Sequence, residues 1–245
     1  MEPLRRVLRP VKRWLKESML PRVNRVNNQY DRNTYEIIET LPDDAVCIDI
    51  GASNGSVLKR MIASVPNGKY YAFEARPDAA EALRENFQQA IIHSLALSDE
   101  KGTTTFHVAV DDPGYSGIRR QEYPGDFQVD EIEVPLDTLD NVIPQDEPVK
   151  FIKLDVEGAE YKVLSGASQL LKRTKPLLVF EYGRAGRDNY GTSPKQIFDL
   201  FESCGMEISL LSDWLKGRGS MNLQKFEKAC NSHWYFVAHS AGQAC

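Results

Sequence analysis

Two stretches of this 245-residue chain, and one acid standing between them, carry residue types that do chemistry. The first is Cys47-Ile48-Asp49-Ile50-Gly51-Ala52-Ser53-Asn54-Gly55, an apolar run that ends in a glycine turn. A strand leading through such a turn into a helix presents free backbone N–H groups, which attract an anionic group. Gly51 is read as letting the backbone approach a ligand, and Gly55 as letting the next helix pack closely. The spacing is D-x-G-x-x-x-G rather than the G-x-G-x-x-G of dinucleotide binders, and Asp49 would repel a pyrophosphate. The same carboxylate suits a ligand carrying an ammonium, such as the methionine moiety of S-adenosylmethionine. A plain strand-to-helix turn, with Asp49 bonded to loop amides, is the alternative.

Glu74 follows Gly51 by 23 residues and ends the run Tyr70-Tyr71-Ala72-Phe73. A carboxylate at that place offers two acceptors to the vicinal hydroxyls of a ribose, although it could equally cap the helix near Pro77. Ser94-Leu95-Ala96, at the exit of the third apolar run, would border an adenine ring. The second stretch is Phe151-Ile152-Lys153-Leu154-Asp155-Val156-Glu157-Gly158-Ala159-Glu160. Asp155, Glu157 and Glu181 are the candidate general bases for a hydroxyl, and Lys153 would pair with them or tune them. Asp155 and Glu181 are favoured because both end adjacent strands, whereas Glu157 could serve only as a cap of the next helix. Paired carboxylates also suit Mg²⁺, but no spacing demands a metal. His93, His107, His233 and His239 are scattered and read as structural, with His233 the outsider because it opens the last strand. Tyr115-Ser116-Gly117 and Tyr182-Gly183-Arg184 are expected to line an acceptor pocket.

These residues need a scaffold that brings strand ends together. From Ala45 onward, short apolar runs alternate with helical patterns, the signature of βα units feeding a mostly parallel sheet, so the fold class is α/β. Strands are expected at 45–50, 69–74, 90–96, 149–155, 177–181, 206–211 and 233–239, and helices at 55–65, 78–89, 159–172 and 194–203. Thr103–Val110 and Glu131–Val134 read as an inserted hairpin whose long loop, Asp111–Asp126, is of a length usually functional or disordered. In open α/β sheets a ligand sits beyond the carboxyl ends of the strands at the switch point, which places Asp155 near the reactive end of a cofactor.

Residues 1–28 form a basic leader of net charge +6, leaving −11 for residues 29–245. Leu4, Val7, Leu8, Val11, Trp14, Leu15 and Met19 recur at helical spacing between basic residues, with Pro21 as a stop. Docking on an anionic membrane surface and packing on the domain or a second subunit both fit this pattern. The acidic body argues against nucleic acid as a partner. Cys47, Cys204, Cys230 and Cys245 form no CxxC pair, and no run approaches the roughly 20 apolar residues of a membrane span. A cytoplasmic protein, peripheral at most on the inner membrane surface, is the expectation.

Asp49–Gly55, Phe73-Glu74-Ala75-Arg76-Pro77, Ala96-Leu97-Ser98-Asp99, and above all Ile152–Glu160 followed by Val163-Leu164-Ser165-Gly166, resemble the FkbM family of methyltransferases. Pro176–Glu181 extends the match, which covers about 45–182. The resemblance implies a class I, Rossmann-like, seven-stranded fold that uses S-adenosylmethionine to O-methylate a sugar, glycan or natural product by in-line displacement. It implies that Asp49, Gly51, Gly55 and Glu74 bind the cofactor and that Asp155 lies beside the transferred methyl; Ala52, Ala75, Ser94 and Leu95 are the further expected cofactor contacts. Ser53 and Ala75 stand where the family usually has Asn and Pro. Two other readings remain: a nicotinamide-dependent Rossmann oxidoreductase, disfavoured by the loop spacing, and a non-catalytic adaptor docked on a membrane through residues 1–28.

Overall fold

A computed structural model describes residues 21–121 and 128–242. Its strands, in chain order, are β1 (Val46–Ile50), β2 (Lys69–Phe73), β3 (Ala90–His93), β4 (Ala96–Leu97), β5 (Gly102–Ala109), β6 (Val129–Asp137), β7 (Val149–Leu154), β8 (Leu177–Glu181), β9 (Met206–Ser209) and β10 (Tyr235–Ser240). The helices are α1 (Pro21–Glu39), α2 (Ser56–Ser64), α3 (Pro77–Asn86), α4 (Leu139–Val142), α5 (Glu160–Ser165), α6 (Ser168–Thr174), α7 (Arg184–Tyr190), α8 (Pro194–Ser203), α9 (Leu211–Trp214) and α10 (Leu223–Ala229).

The main sheet has seven strands in the order β3-β2-β1-β7-β8-β10-β9. The pairings from β3 through to β8 are parallel, and β10 runs antiparallel to both its neighbours. This is the α/β architecture expected from the alternation of patterns. Strands β1, β7 and β8 are almost wholly buried because helices cover both faces of the sheet. One face packs α4, α5, α6, α8 and α10, through residues such as Leu139, Val163, Leu171, Phe201 and Phe226. The other packs α1, α2 and α9, through Ile37, Ile38, Leu58, Met61 and Trp214. The chain leaves β1 toward β2 on one side, and β7 flanks it on the other, so the switch point lies at the carboxyl ends of β1 and β7.

Several boundaries differ from expectation. The run 90–96 is two strands: β3 stays in the main sheet, and β4 leaves it to pair with β6 of the inserted hairpin. The hairpin strand expected at 131–134 is the longer β6, which carries Pro135 opposite Thr103, one residue short of the pairing with β4 at Leu136 and Asp137. There the missing N–H of Pro135 deprives no β4 partner. The helix expected at 159–172 breaks into α5 and α6 at Gly166-Ala167, where the chain passes close against Ser98. By contrast α8 matches expectation, and its start is fixed by a capping box between Ser193 and Gln196.

The leader helix expected over about 10–19 lies outside the described residues. Pro21 opens α1, which runs through position 28 and seats Tyr30, Ile37 and Ile38 in the core. Among the described residues no helix is long and apolar enough to cross a membrane.

Candidate active site

The carboxyl ends of β1, β2 and β7 open on a cleft of about 310 Å³. Asp49 lies at its base. In register, the row across the sheet reads Ala72, Asp49, Lys153, Val179, so the row offers Asp49 a single charged neighbour, Lys153. Asp49 has no exposed surface, and no group reaches full hydrogen-bond geometry with either carboxylate oxygen. Burial pushes its carboxyl up to about 6, against the pull of Lys153 and of the first-turn amide of Leu58. An unpartnered buried carboxylate costs stability, and a cation entering the cleft would relieve that cost.

The glycine turn above it is shaped by β7. Gly51 adopts φ +76°, and a Cβ there would fall 1.8 Å from the carbonyl oxygen of Asp155. Its first role is therefore to admit the neighbouring strand, although it also lines the cleft. Gly55 packs against Leu83 and Phe87 rather than lining the cavity, in keeping with its expected role in helix packing. Glu74 ends β2 with both oxygens bonded to backbone: Oε2 accepts from the Ser53 N–H at 2.8 Å and Oε1 from the Arg76 N–H at 3.0 Å. These bonds fix the carboxylate at the cleft wall, beside Ala52 and Ala75. Leu95 lines the same cleft, whereas Ser94 is not among its lining residues.

The far wall is a carboxylate cluster. Asp155, Glu157 and Glu181 each bring an oxygen within 4.8 Å of the other two. Asp155 Oδ2 accepts from Lys153 Nζ at 3.0 Å and from the Tyr235 hydroxyl at 2.6 Å. Burial alone would raise its carboxyl, but the charge of Lys153, a hydrogen bond with Glu181 and these two hydrogen bonds hold it down to about 2. Glu157 goes the other way: burial, then the charge of Asp155, push it up to about 8. Glu181 also stands well above the usual carboxylate range, by burial and by Asp155.

The turn that carries Glu157 is tightly specified. Glu157 is left-handed at φ 57° and Gly158 has φ +107°, with a Gly158 Cβ falling 2.7 Å from the Gly186 carbonyl. The acid that accepts from the backbone amides of this turn is Glu160, which bonds the N–H groups of Val156 and Gly158. The expectation that Glu157 merely caps the helix is thereby corrected, because its side chain bonds instead to Gln121 Nε2 at 3.1 Å. Glu157 and Gly114 line both the cleft and a second cavity of about 410 Å³ that also meets Glu181, Tyr115, Arg184 and Trp234. Of the residues expected at an acceptor pocket, Tyr115, Gly183 and Arg184 sit at this second cavity, while Ser116 lines the first. Tyr182 departs from expectation: it is 1% exposed, with its hydroxyl turned to Thr192.

The histidines behave structurally. His93 stacks on Phe73 at 4.8 Å, and His239 bonds Ser209 at 2.9 Å. His233 bonds Ser232 and lines neither cavity. Sequence reasoning missed Asn27 and Asp31 of α1, Gln121, Trp234 and Tyr235, all of which line one of the cavities. Tyr235 was within reach: in an antiparallel last strand, the first residue falls at the carboxyl edge of the parallel ones, and Tyr235 pairs with Glu181. Nothing in the sequence marked Asp31.

Comparison with known proteins comes to the same region. The curated 2-O-methyltransferase NoeI of Sinorhizobium fredii (strain NBRC 101917 / NGR234) is 29% identical over 148 residues, 54% of this chain and 61% of that protein. The chain therefore spans less than two thirds of that relative's length. Among solved structures, methyltransferase FkbM from Methylobacillus flagellatus KT aligns over 81% of this chain and 44% of its own, at 16% identity and a TM-score of 0.48. The StiE O-MT fragment, residues 961–1257, aligns over 98% and 82% at 12% identity and a TM-score of 0.47. The methyltransferase FkbM domain family matches residues 49–208, which hold every candidate base and every expected cofactor contact, and the chain belongs to that family.

Proposed function

We propose that this protein is an S-adenosylmethionine-dependent O-methyltransferase acting on a hydroxyl of a sugar, glycan or other small molecule. Asp49 carries the reading: a fully buried carboxylate with two unsatisfied oxygens at the base of a cleft is a site built for a cation. The residues fit the cofactor's three chemical parts. Asp49 suits the ammonium, Glu74 at the rim suits a ribose diol, and Leu95 and Leu97 give an apolar wall for a base. When bound, S-adenosylmethionine supplies an electrophilic methyl group.

The chain's own residues divide the remaining work. Glu157 stands where the two cavities meet, so it faces both a cofactor in one and an acceptor in the other. A base with a pKa near 8 takes up a hydroxyl proton far better than one near 2, so Glu157 replaces Asp155 as the preferred general base. Asp155, held ionised by Lys153, supplies a fixed negative charge beside the reacting centre. The NoeI relative methylates a 2-hydroxyl by its name, which supports a hydroxyl acceptor here. Family membership speaks against the nicotinamide reading. The adaptor reading rests on residues 1–28, most of which lie outside the described residues.

Isothermal titration of the full chain with S-adenosylmethionine tests the reading. Micromolar binding is expected, with affinity lowered roughly 30-fold or more in Asp49→Asn, the scale of one lost buried charge pair at about 2 kcal/mol or above. No binding to the wild type, or equal affinity in the variant, overturns it.

A further inference from the structure

Both α1 and β10 lie outside the segment that the family matches, yet they build one wall of the cleft. Tyr30 of α1 packs against Trp234 and Tyr235 of the last strand region, with ring centroids 5.3 Å and 5.2 Å away. The Trp234 indole N–H donates to Asn27 Oδ1 at 3.1 Å. This packing holds Tyr235 in one orientation, with its hydroxyl 2.6 Å from Asp155 Oδ2. The same oxygen takes the Lys153 ammonium. One oxygen of Asp155 is thus doubly engaged, and the other is left to meet Glu181 or a ligand.

We infer that Tyr235 is a positioning residue, which together with Lys153 clamps Asp155 so that the exchangeable proton of the three-acid cluster stays with Glu157 and Glu181. The inference rests on the methyltransferase reading only for its consequence, because the clamp itself is a property of the ligand-free chain. Every element packed around Asp155 brings a charged or titratable group: Asp31 from α1, Asp49 from β1, Lys153 from β7, Glu157 from the turn, Glu160 from α5, Glu181 from β8 and Tyr235 from β10. Lys153 is the one cation among these seven. A free Asp155 would compete with the glutamates for any proton in the cluster. The donated phenol removes that competition, because a hydrogen bond to the ionised form stabilises it. Glu157, where the cavities meet, then keeps a proton that it takes from an acceptor hydroxyl instead of passing it to Asp155.

Carbon-13 titration of the side-chain carboxyls in the ligand-free full chain, assigned with Asp155→Asn and Glu157→Gln, tests the clamp. In the wild type Asp155 is expected to stay ionised to about pH 3 and Glu157 to titrate near 8. Tyr235→Phe keeps the ring and its contact with Tyr30 but loses the donor. The acid dissociation constant of Asp155 should then fall about tenfold, one pH unit. A purely structural Tyr235 would leave the Asp155 titration where it is, and that result overturns the inference. Should the phenylalanine variant fail to fold, Asp155→Asn supplies the reciprocal measurement. The Tyr235 ring-carbon titration should move down at least about tenfold once the facing charge is gone, and an unmoved phenol rejects the clamp. Because neither titration needs a ligand, the clamp can fail while the cofactor reading stands, and the converse holds as well.

Discussion

The two walls of the cleft are assembled in opposite ways. The acids of the wall that suits the cofactor come from two consecutive βα units, residues 49–76, and are handled separately: Asp49 lacks a full hydrogen bond and feels only the pull of Lys153 and the Leu58 amide, and Glu74 is tied to backbone amides. The opposite wall draws on α1, β7, α5, β8 and β10, spread over some two hundred residues, and its acids are set against one another around Lys153. Local assembly gives each carboxylate a fixed environment and hence one task. Assembly from distant strands gives a cluster of interacting acids that titrate together rather than one by one.

The largest effect should come from the cluster wall. Glu157→Gln removes the proposed base, which joins the two cavities, and should lower methyl transfer roughly 10²- to 10⁴-fold, with cofactor affinity nearly unchanged. The pH profile sharpens the assignment. With Glu157 as the proposed base its ionised form is the active one, so the wild-type rate should climb with pH and level off above about 8, and the variant should lose that limb. Transfer of label from radioactive S-adenosylmethionine to a glycan fraction reads both quantities. A rate within a factor of a few of wild type, with the limb intact, would move the role to Glu181.

A smaller but still large effect is expected at Asp49, and it appears in stability without any ligand. The folded carboxyl stands at about 6, above its ordinary value near 3.9. A group raised in this way leaves stability intact at low pH and costs it as pH rises through the folded value. At pH 8 the ionised, unpartnered carboxylate should therefore cost about 3 kcal/mol that is absent below pH 4. Asp49→Asn should be more stable than wild type in urea at pH 8, and the gap should close as the pH falls toward 4. An equal or lower midpoint at pH 8 would mean that Asp49 has a partner that the ligand-free structure does not reveal. Opposite signs for stability and binding in one variant would set the cofactor wall apart from the cluster wall.

The same contrast governs what could be read from the sequence. The cofactor wall was legible because strand, glycine turn and acid are contiguous, and because a buried parallel strand such as Val46–Ile50 is a continuous apolar run that Asp49 interrupts visibly. The α/β class was legible for the same reason. The strand 90–96 was not, because partner choice divides it: Ile91 and Ile92 pair with β2, but Ala96 pairs with a hairpin strand 40 residues onward. On the cluster wall, the types of Asp155, Glu157 and Glu181 were evident and their ranking was not. The ranking depends on Tyr235 lowering one acid and on Glu160 taking the backbone amides that Glu157 was expected to take, and both are contacts between turns and strands that no local pattern encodes. Asp31 shows the limit most plainly, since a solvent-facing acid on a helix becomes a cleft residue only through where the helix packs.

The smallest effect should fall at Glu74. Its oxygens already accept from the Ser53 and Arg76 amides, so the side chain is held in place before any diol arrives. Glutamine keeps one carbonyl acceptor and turns its amide toward one of those N–H groups, losing one backbone bond and half of the capacity to accept from a ribose. Affinity for S-adenosylmethionine should fall about tenfold, the scale of one hydrogen bond to a charged acceptor, and calorimetry should show most of that change in enthalpy. Affinity for methionine alone, which has no ribose, should be untouched by Glu74→Gln and abolished by Asp49→Asn. If Glu74→Gln weakened methionine as much as the full cofactor, the two acids of this wall would not be doing separate tasks, and the contrast with the cluster wall would collapse on its simpler side.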